Sequence, residues 1–365
     1  MAVIYLYKKH NMRILCLIEA LGSGGAERQM VGLASLLKKE GNDVAVMTYY
    51  PKDFYKFVLD EAGVEHIYVE NAQSKLKRIS ELSKAVSRYK PEVVICYSPS
   101  AAEIACMLKM MGAKFKLIVS ERNSIRSNSR REKLKFFMYK WSDCIVPNSY
   151  EQQQFIAKYY HHLISKTSVI TNFVDTDYFS PASDYSSQLP CRIICVGRDN
   201  PQKNQLRFID AVKLLAEKGL PFKVDWYGSF ESAYGQQCVQ KIKDLHLDDR
   251  IELKGETKTV REEYRKHDVF CLPSIYEGFP NVLCEAMSCG LPAVCSNVCD
   301  NPLIVQEGVN GYLFDPNNIE DMAQKIGRMV MLNETEKKRM SLANREKSLE
   351  MFSKESFLAK YKKLF

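Results

Sequence analysis

The chain has 365 residues, of which 46% are hydrophobic and 26% are charged. This composition supports packed cores and excludes a disordered chain, and the length exceeds that of one typical domain. We therefore expect two domains of about 170 residues each. Since no apolar stretch reaches the roughly 18 residues of a membrane span, we expect a cytoplasmic protein that is not exported, starting at Met1 or Met12.

The net charge of +8 lies entirely in the first half of the chain. The first 180 residues contain 26 basic and 18 acidic residues, and the remainder contains 26 of each. This asymmetry indicates that the first half meets a negatively charged partner, such as nucleic acid or anionic lipid.

None of the twelve cysteines is spaced C-x-x-C, and most lie in apolar runs. They are typical of buried, reduced thiols, with metal binding by Cys295 and Cys299 as the alternative.

From Arg13 onward, short apolar runs alternate with amphipathic segments. The predicted strands are RILCLIE, DVAVMTY, EHIYVE, EVVICYS, KLIVSE and DCIVPNS. The predicted helices are Ala26–Lys39, 53–62, Ser74–Tyr89, Ser100–Met111 and Arg131–Trp141. Strands that alternate with helices in this way predict a mostly parallel, doubly wound α/β sheet.

The polar, proline-flanked segment Ser180–Pro190 is the predicted linker. After it come the predicted strands CRIICVG, FKVDWYG, RIELKG, DVFCLP and PAVCSN, and the predicted helices Gln205–Glu217, Ser232–Leu245, Thr259–His267 and one that begins at Asn281. Three helices then follow with no further strand: Ile319–Met331, Glu334–Met351 and Lys354–Leu364. We expect domains at 1–180 and 181–350, with a C-terminal helix at 351–365 that can pack back across the first domain.

The segment Ser274–Leu291 predicts an anion site, because a loop after a strand leads into a helix at Asn281. The backbone N–H groups of Asn281, Val282 and Leu283 would face a phosphate, and Gly278 would let it approach. Beside a phosphate, the carboxylates of Glu277 and Glu285 are favourable only if they bind hydroxyl groups. A nucleotide sugar satisfies both conditions, with Glu285 on the ribose and Glu277 on the transferred sugar. The alternative is a surface helix with two solvated glutamates.

The loop Gly197–Asn204, GRDNPQKN, also follows a predicted strand. Arg198 offers a forked donor and Lys203 a mobile charge, and both can reach one diphosphate across a turn. The alternative is a solvated basic loop.

The loop GSGGAE at 22–27 superficially resembles a dinucleotide-binding fingerprint. The match is poor, because Glu27 occupies the third glycine position and Thr48 and Tyr49 replace the expected acidic residue. The glycines suit either a ligand-facing loop or a plain tight turn.

Taken together, these loops resemble those of the group 1 (family 4) retaining glycosyltransferases. The matching motifs are GSGGAE at 22–27, GRDNPQKN at 197–204, EGFPNVLCE at 277–285 and GVNGYL at 308–313. The resemblance implies a GT-B fold, in which two Rossmann-like domains face each other across a cleft.

By this resemblance, Arg198 and Lys203 bind the donor diphosphate, Glu277 the donor sugar and Glu285 the ribose. Residues 253–256, with Gly255, would border the base. The backbone of the donor loop from Gly278 to Asn281, which includes Phe279 and Pro280, would line the sugar and phosphate, and Val282 would also contribute to donor binding. Gly24 and Gly25 would lie on the acceptor side.

The chain departs from many relatives at Ser120-Glu121-Arg122-Asn123, where they carry a histidine. This tetrapeptide resembles a branch that acts on polyprenyl-diphosphate-linked sugars, so Glu121 or Arg122 would face the reaction centre, with Asn123 on the acceptor side. Asp175-Thr176-Asp177 looks like a metal-binding D-x-D but resembles the family's inter-domain loop. We expect no metal or other cofactor, because Arg198, Lys203 and the helix dipole neutralise the leaving diphosphate.

The expected reaction is transfer of a hexose or N-acetylhexosamine from a UDP-linked sugar to a hydroxyl of a lipid-linked oligosaccharide, with retention of configuration. The basic and aromatic segment 122–141 predicts either a membrane-surface helix or an ordinary core helix. Two rival functions are a GT-B nucleotide-sugar epimerase and a non-catalytic nucleic-acid-binding protein, although no nucleic-acid-binding motif appears.

Overall fold

The computed structural model describes residues 11–72, 74–122, 127–182 and 189–365, and only the backbone of Lys75. The chain forms two compact units, one containing the residues up to Thr171 together with Phe357–Phe365, the other Asn172–Ser356. The division after Thr171 lies before the predicted linker, because the segment that follows is held by α13 (Glu334–Phe352). Val174 N–H donates to Phe352 O at 2.9 Å, and Arg345 donates to the Thr176 carbonyl at 2.9 Å. Linker residues 183–188 lie outside the described part.

The described residues of the first unit form a six-stranded, fully parallel sheet in the order β3-β2-β1-β4-β5-β6. Its strands are β1 Arg13–Leu17, β2 Asp43–Thr48, β3 Glu65–Tyr68, β4 Val93–Cys96, β5 Lys116–Glu121 and β6 Cys144–Pro147. Its helices are α1 Gly25–Lys39, α2 Lys56–Glu61, α3 Lys75–Tyr89, α4 Pro99–Met110, α5 Arg130–Met138 and α6 Tyr150–Tyr159.

The sequence analysis did not predict α6. It ended α5 at Trp141, whereas residues Tyr139–Trp141 form a 3₁₀ turn.

The described residues of the second unit repeat this arrangement, with the strand order β12-β11-β10-β7-β8-β9. Its strands are β7 Cys191–Val196, β8 Phe222–Tyr227, β9 Ile251–Gly255, β10 Val269–Leu272, β11 Ala293–Ser296 and β12 Gly311–Phe314. Its helices are α7 Gln205–Glu217, α8 Ala233–Asp244, α9 Val260–Arg265, α10 Asn281–Ser288, α11 Asn301–Ile304, α12 Ile319–Val330 and α13; α14, Lys354–Lys362, begins here and ends in the first unit.

The expectation that no strand follows β11 was wrong. Gly311–Phe314 pairs in parallel with β11 and forms the edge of the sheet. The fold itself is confirmed: both units are doubly wound parallel sheets covered by helices, and their central strands are almost fully buried.

Each sheet has a position where the chain reverses its direction of winding. It lies between β1 and β4 in the first unit and between β7 and β10 in the second. The loops after these strands diverge there and leave a crevice outside the carboxyl ends of the strands. The loops that the sequence analysis singled out, 22–27, 197–204 and 274–280, follow β1, β7 and β10. The winding of the chain therefore puts them at the ligand-binding edges of the two sheets.

Candidate active site

Two loops of the second unit, one after β7 and one after β10, are joined by hydrogen bonds from backbone and side-chain donors. Ile275 N–H donates to Gln202 O at 2.8 Å, and Gln202 Nε2 donates to Tyr276 O at 2.8 Å. Asn204, buried at the start of α7, donates from Nδ2 to Pro273 O at 3.0 Å. These contacts make the two loops one rigid surface at the carboxyl edge of the sheet.

Lys203 and Glu277, which the sequence analysis assigned separately, form an ion pair across this surface. Lys203 Nζ lies 2.7 Å from Glu277 Oε1, and the side chains are 17% and 9% exposed. The lysine stem crosses the backbone at Gly197, where an added Cβ would lie 3.2 Å from Lys203 Cε. A larger residue at position 197 would therefore push the lysine away from Glu277.

Arg198 and Glu285 line one cavity of about 280 Å³ in the second unit. The other lining residues are Val196, Gly197, Tyr227, Gly228, Glu256, Thr257 and Val260. Arg198 is exposed and Glu285 is 4% exposed, so the cavity offers a cation at its mouth and a carboxylate in its wall. Gly255, predicted beside the base, contacts this wall through its carbonyl, which accepts from Gly228 N–H at 2.9 Å.

The sequence analysis missed Gly228, which shapes the cavity. It has a φ of +156°, and an added Cβ would collide with the carbonyl of Gly197. The same carbonyl accepts a hydrogen bond from Trp226 Nε1 at 2.9 Å. The glycine after β8, in the sequence WYGS, was the available signal, because a glycine directly after a strand often marks a close backbone approach.

Tyr227, also missed, is fixed in the cavity wall by hydrogen bonds. Its hydroxyl donates to Glu263 Oε2 at 2.6 Å, and burial together with this carboxylate raises the pKa of Tyr227. Behind it, His267 Nε2 lies 3.0 Å from Asp225 Oδ2, and Arg192 contacts the same oxygen at 3.1 Å. Burial acts to raise the pKa of Asp225, but the contacts with His267 and Arg192 outweigh it, and the pKa is lowered.

The start of α10 differs in one respect from the prediction of three open N–H groups. Asn281 N–H donates to Phe279 O at 2.9 Å, and Asn281 Oδ1 accepts from Asn172 Nδ2 at 2.8 Å. The N–H of Asn281 is thus used inside the turn. Phe279 was predicted to line the donor, but its ring packs edge-on against Phe352, with 6.0 Å between ring centroids. The ring therefore belongs to the core of the second unit.

The remaining predicted residues of this loop lie along its surface or inside it. Gly278 and Val282 are half-buried, and Pro280 is buried. The carbonyl of Pro280 accepts from Cys284 N–H at 3.1 Å, the first bond of the α10 ladder.

In the first unit, the glycine loop borders a second cavity, of about 640 Å³. It is lined by Glu19, Ala20, Gly22, Ser23, Gly24, Glu27, Tyr50, Pro51 and Lys52. An added Cβ at Gly24 would collide with the Glu27 carboxylate, so a larger residue there would displace that side chain. Gly25 begins α1. Glu19 accepts a hydrogen bond from Ser100, which lies 2.7 Å from the Tyr49 hydroxyl.

Glu121 and Arg122, at the end of β5, have different environments. Glu121 is 2% exposed, pairs with Lys135 at 2.7 Å and accepts a hydrogen bond from Tyr139. Arg122 Nη2 donates to the Tyr361 hydroxyl at 2.6 Å, and its guanidinium lies 4.2 Å from the centroid of the Tyr97 ring. Glu121 is therefore bound within the core of the first unit. Asn123 lies outside the described residues.

The two candidate metal motifs serve other contacts. Asp175 Oδ2 pairs with Lys354 at 2.6 Å, and Asp175 Oδ1 accepts from Tyr178 N–H at 3.2 Å. Cys295 is fully buried, and burial raises its pKa well above the ordinary value. Cys299 Sγ accepts from Glu277 N–H at 3.4 Å. In the described ranges, no group of three or more His, Cys, Asp or Glu side chains could hold a metal ion.

Helix α5 has buried residues on one side and exposed apolar residues on another. Phe136 is fully buried and Lys135 is 3% exposed, whereas Leu134 and Phe137 are 61% and 51% exposed. The exposed basic residues of this outer surface are Arg130, Arg131 and Lys133 of α5 and Lys140 of the 3₁₀ turn that follows. Lys135 does not belong to this outer surface. Among the helices in the described ranges, none is long and apolar enough to cross a bilayer.

Two doubly wound parallel sheets, one with a cation–carboxylate site at its winding reversal, are the architecture of the GT-B fold. Residues 23–178 match the model for glycosyltransferase family 4, and residues 189–348 match the model for group 1 glycosyl transferases. The chain belongs to this group 1 (family 4) glycosyltransferase family. The sequence-based resemblance is thereby confirmed, and the chain is an enzyme.

Curated relatives of similar length support this assignment. The amylovoran biosynthesis glycosyltransferase of Erwinia amylovora is 24% identical, over 87% of this chain and 90% of its own. The GalNAc-α-(1→4)-GalNAc-α-(1→3)-diNAcBac-PP-undecaprenol α-1,4-N-acetyl-D-galactosaminyltransferase of Campylobacter jejuni is 28% identical, over 76% of this chain and 77% of its own. The UDP-Gal:α-D-GlcNAc-diphosphoundecaprenol α-1,3-galactosyltransferase of Escherichia coli is 26% identical, over 70% of each chain.

Solved structures share the fold. A glycosyltransferase from Rickettsia africae has a TM-score of 0.84 at 21% identity and covers 97% of this chain and 98% of its own. Anabaena HepE in complex with UDP has a TM-score of 0.84 at 17% identity, with 96% and 99% covered.

Proposed function

We propose that this enzyme transfers a hexose or an N-acetylhexosamine from a UDP-linked sugar to a hydroxyl group of a lipid-linked oligosaccharide. The reaction would belong to surface polysaccharide synthesis on the cytoplasmic side of the membrane. The names of the relatives from E. coli and C. jejuni support this choice, since both act on sugars linked to undecaprenol through a diphosphate. The name of the E. coli relative also includes a UDP-linked donor.

The observation that carries the proposal is the arrangement around the winding reversal of the second unit. Arg198 and Glu285 share one cavity, and Lys203 and Glu277 lie on the two loops that meet beside it. A UDP-sugar matches this pattern, because its central diphosphate needs cations while the hydroxyls at both ends suit carboxylates. We assign the diphosphate to Arg198 and Lys203, the ribose to Glu285 and the transferred sugar to Glu277.

The chemistry asked of these residues is stabilisation of the leaving group. The bond between the anomeric carbon and the diphosphate breaks, and the acceptor hydroxyl forms a new bond from the same face. Attack from this face retains the configuration, and the hydroxyl proton passes to the departing phosphate oxygen. Arg198 and Lys203 stabilise the charge that grows on this diphosphate, where fixed cations are most effective. We propose that this role needs no metal ion, so activity should persist in EDTA.

The test is transfer from radiolabelled UDP-galactose, UDP-N-acetylgalactosamine, UDP-N-acetylglucosamine and UDP-glucose to an undecaprenyl-diphosphate-linked sugar. We expect one donor to yield a lipid-linked product with an α linkage, assigned by NMR. Arg198→Ala should reduce kcat/KM at least 100-fold, whereas the exposed Arg339→Ala on α13 should leave it unchanged. An inverted linkage would contradict retention. Conversion of the donor to another nucleotide sugar without acceptor would indicate an epimerase. If the wild type turns over none of these donors, the proposal is refuted.

For the acceptor, we propose the glycine-loop cavity of the first unit together with Arg122. The cavity combines the carboxylates of Glu19 and Glu27 with the Tyr50 ring, a set that suits sugar hydroxyls and an apolar sugar face. Glu121, predicted as a catalytic group, is paired within the core, and we assign it no contact with the substrate.

We also propose that the outer face of α5 rests on an anionic membrane surface. Leu134 and Phe137 would enter the headgroup region, and Arg130, Lys133 and Lys140 would meet acidic lipids. We expect binding to vesicles that contain phosphatidylglycerol and no binding to vesicles of phosphatidylcholine alone. Leu134→Ser with Phe137→Ser should abolish it, as should Arg130→Glu with Lys133→Glu. The matched control is charge reversal at Lys223 and Lys243, exposed residues of the second unit. Equal loss with the control would overturn this assignment.

A further inference from the structure

The ammonium group of Lys203, proposed to bind the donor diphosphate, has a carboxylate partner within its own unit. Lys203 Nζ lies 2.7 Å from Glu277 Oε1, and both side chains are mostly shielded from solvent. A hydrogen bond between two charged groups is short and about twice as strong as a neutral one. A diphosphate that binds Lys203 must therefore compete with Glu277 for the same cation.

The two loops that carry the pair cannot simply separate to release it. They are joined by the hydrogen bonds of Gln202 to Ile275 and Tyr276, and the lysine stem lies against the backbone at Gly197. The exchange of partners must then occur by rotation of the side chains. In such an exchange, the Glu277 carboxylate leaves Lys203 but stays at the same loop surface. There it can accept a hydrogen bond from a hydroxyl group of a bound ligand.

We infer that Glu277 makes the site discriminate between a UDP-sugar and UDP. The inference rests on the proposed function and adds a second role to the same residue. A UDP-sugar displaces Glu277 from Lys203 but supplies sugar hydroxyls in exchange, so the carboxylate keeps a partner. UDP displaces it without supplying the hydroxyls of a transferred sugar. After transfer, Glu277 recaptures Lys203 and weakens the hold on the product diphosphate, which promotes release of UDP.

The test is calorimetric titration of UDP and of the UDP-sugar that the wild type turns over, with variants at two equivalent glutamates. Glu277→Gln should bind UDP about tenfold more tightly, a change that corresponds to ~1.4 kcal/mol. The same variant should bind the UDP-sugar more weakly, and UDP should become a stronger product inhibitor. Glu285→Gln, a chemically identical change on the same loop and helix, should weaken both ligands to a similar extent.

The dependence on Lys203 is tested in the background of Lys203→Met, where Glu277→Gln should no longer tighten UDP binding. If Glu277→Gln fails to fold, as judged by circular dichroism, Glu277→Asp serves instead, because its shorter side chain weakens the pair with Lys203. The inference is overturned if the variant binds UDP no more tightly than the wild type, or if tightening persists without Lys203. A wild type that binds neither ligand would instead refute the proposed function.

Discussion

Glu121 at the end of β5 and Lys135 in the middle of α5 form an ion pair of 2.7 Å whose side chains are 2% and 4% exposed. Lys135 also contacts Glu132 at 2.7 Å, and Tyr139 donates a hydrogen bond to Glu121. The lysine thus fastens α5 to the carboxyl edge of the first sheet. A residue that looked like part of a basic surface is a structural element of the core.

Replacing Lys135 with methionine should destabilise the first unit severely. Met matches the length of the lysine stem but leaves the Glu121 carboxylate buried without its cation, a change that costs about 3–5 kcal/mol. The free energy of unfolding from urea titration measures this loss. Lys133→Met, an exposed change on the same helix, should alter it by less than about 0.5 kcal/mol. A double variant, Glu121→Gln with Lys135→Met, should recover part of the loss because no lone charge stays buried.

The C-terminal helix contributes Tyr361 to the environment of Arg122. Their contact is 2.6 Å, and the Tyr361 hydroxyl also lies 2.8 Å from that of Tyr97. Tyr361→Phe removes both hydrogen bonds and keeps the ring. If Arg122 binds the acceptor as proposed, the variant should raise the acceptor KM several-fold and leave the donor KM unchanged. Tyr159→Phe, at a 43% exposed tyrosine, is the control. Equal effects on both substrates would contradict a positioning role for Tyr361.

The alternation of strands and helices was sufficient to predict the fold, because buried parallel strands are short apolar runs and their crossover helices are amphipathic. Two of the missed elements have local causes. The strand Gly311–Phe314, GYLF, directly follows a turn, and most of it was assigned to the turn motif GVNGYL. Helix α6, YEQQQFIAKY, has few apolar positions, and only Gln152 and Ile156 are buried.

The candidate donor site was predictable in its polar residues, because parallel strands bring the loops after them to one edge. The partners of those residues were not predictable. Nothing in the sequence pairs Lys203 with Glu277 rather than with a ligand, since the two lie 74 positions apart. The same holds for Tyr361 and Arg122, 239 positions apart. The place of the Phe279 ring was not predictable either, because an aromatic residue in a loop suits a binding site and a core equally well.

Gly228→Ala should damage the donor cavity. The added Cβ would collide with the carbonyl of Gly197, and this backbone leads directly to Arg198. We expect donor affinity to fall at least tenfold and the melting temperature to drop. Gly308→Ala separates this effect from backbone strain, because Gly308 has a φ of +75° and no atom within 4 Å of an added Cβ. The control should cost about 1 kcal/mol in stability and leave donor affinity unchanged.

Among the cysteines, Cys299 should react first with iodoacetamide at pH 8. Burial raises the pKa of Cys16, Cys106 and Cys289 to about 12, so their thiolate forms are scarce. Cys299 is half-buried, whereas the other eleven thiols are buried. Its Sγ accepts from Glu277 N–H, so alkylation should also reduce donor binding. Peptide mass spectrometry over time measures the order of labelling. Cys299→Ser should remove the fast phase, and fast labelling that persists in this variant would contradict the assignment.

Asp225 should make the stability of the second unit depend on pH in the acid range. Burial alone would raise the pKa of its carboxyl, but the hydrogen bond and charge of His267 and the contact with Arg192 lower it overall. Since the folded state then binds the proton less readily than the unfolded state, the stabilisation is present near neutral pH. This stabilisation is lost as the pH falls below the ordinary pKa of an aspartate and then through the lowered pKa of Asp225 in the folded state.

Asp225→Asn should therefore reduce the free energy of unfolding at pH 7 and flatten its decline between about pH 5 and pH 3. Urea titrations at several pH values measure both quantities. The control is Asp249→Asn, whose side chain is 74% exposed and should leave the slope unchanged. A decline in the Asp225 variant as steep as that of the wild type would show that other carboxyls govern the acid range. Because Tyr227 in the donor cavity lies beside His267, with 6.4 Å between ring centroids, the same variant should also weaken UDP binding.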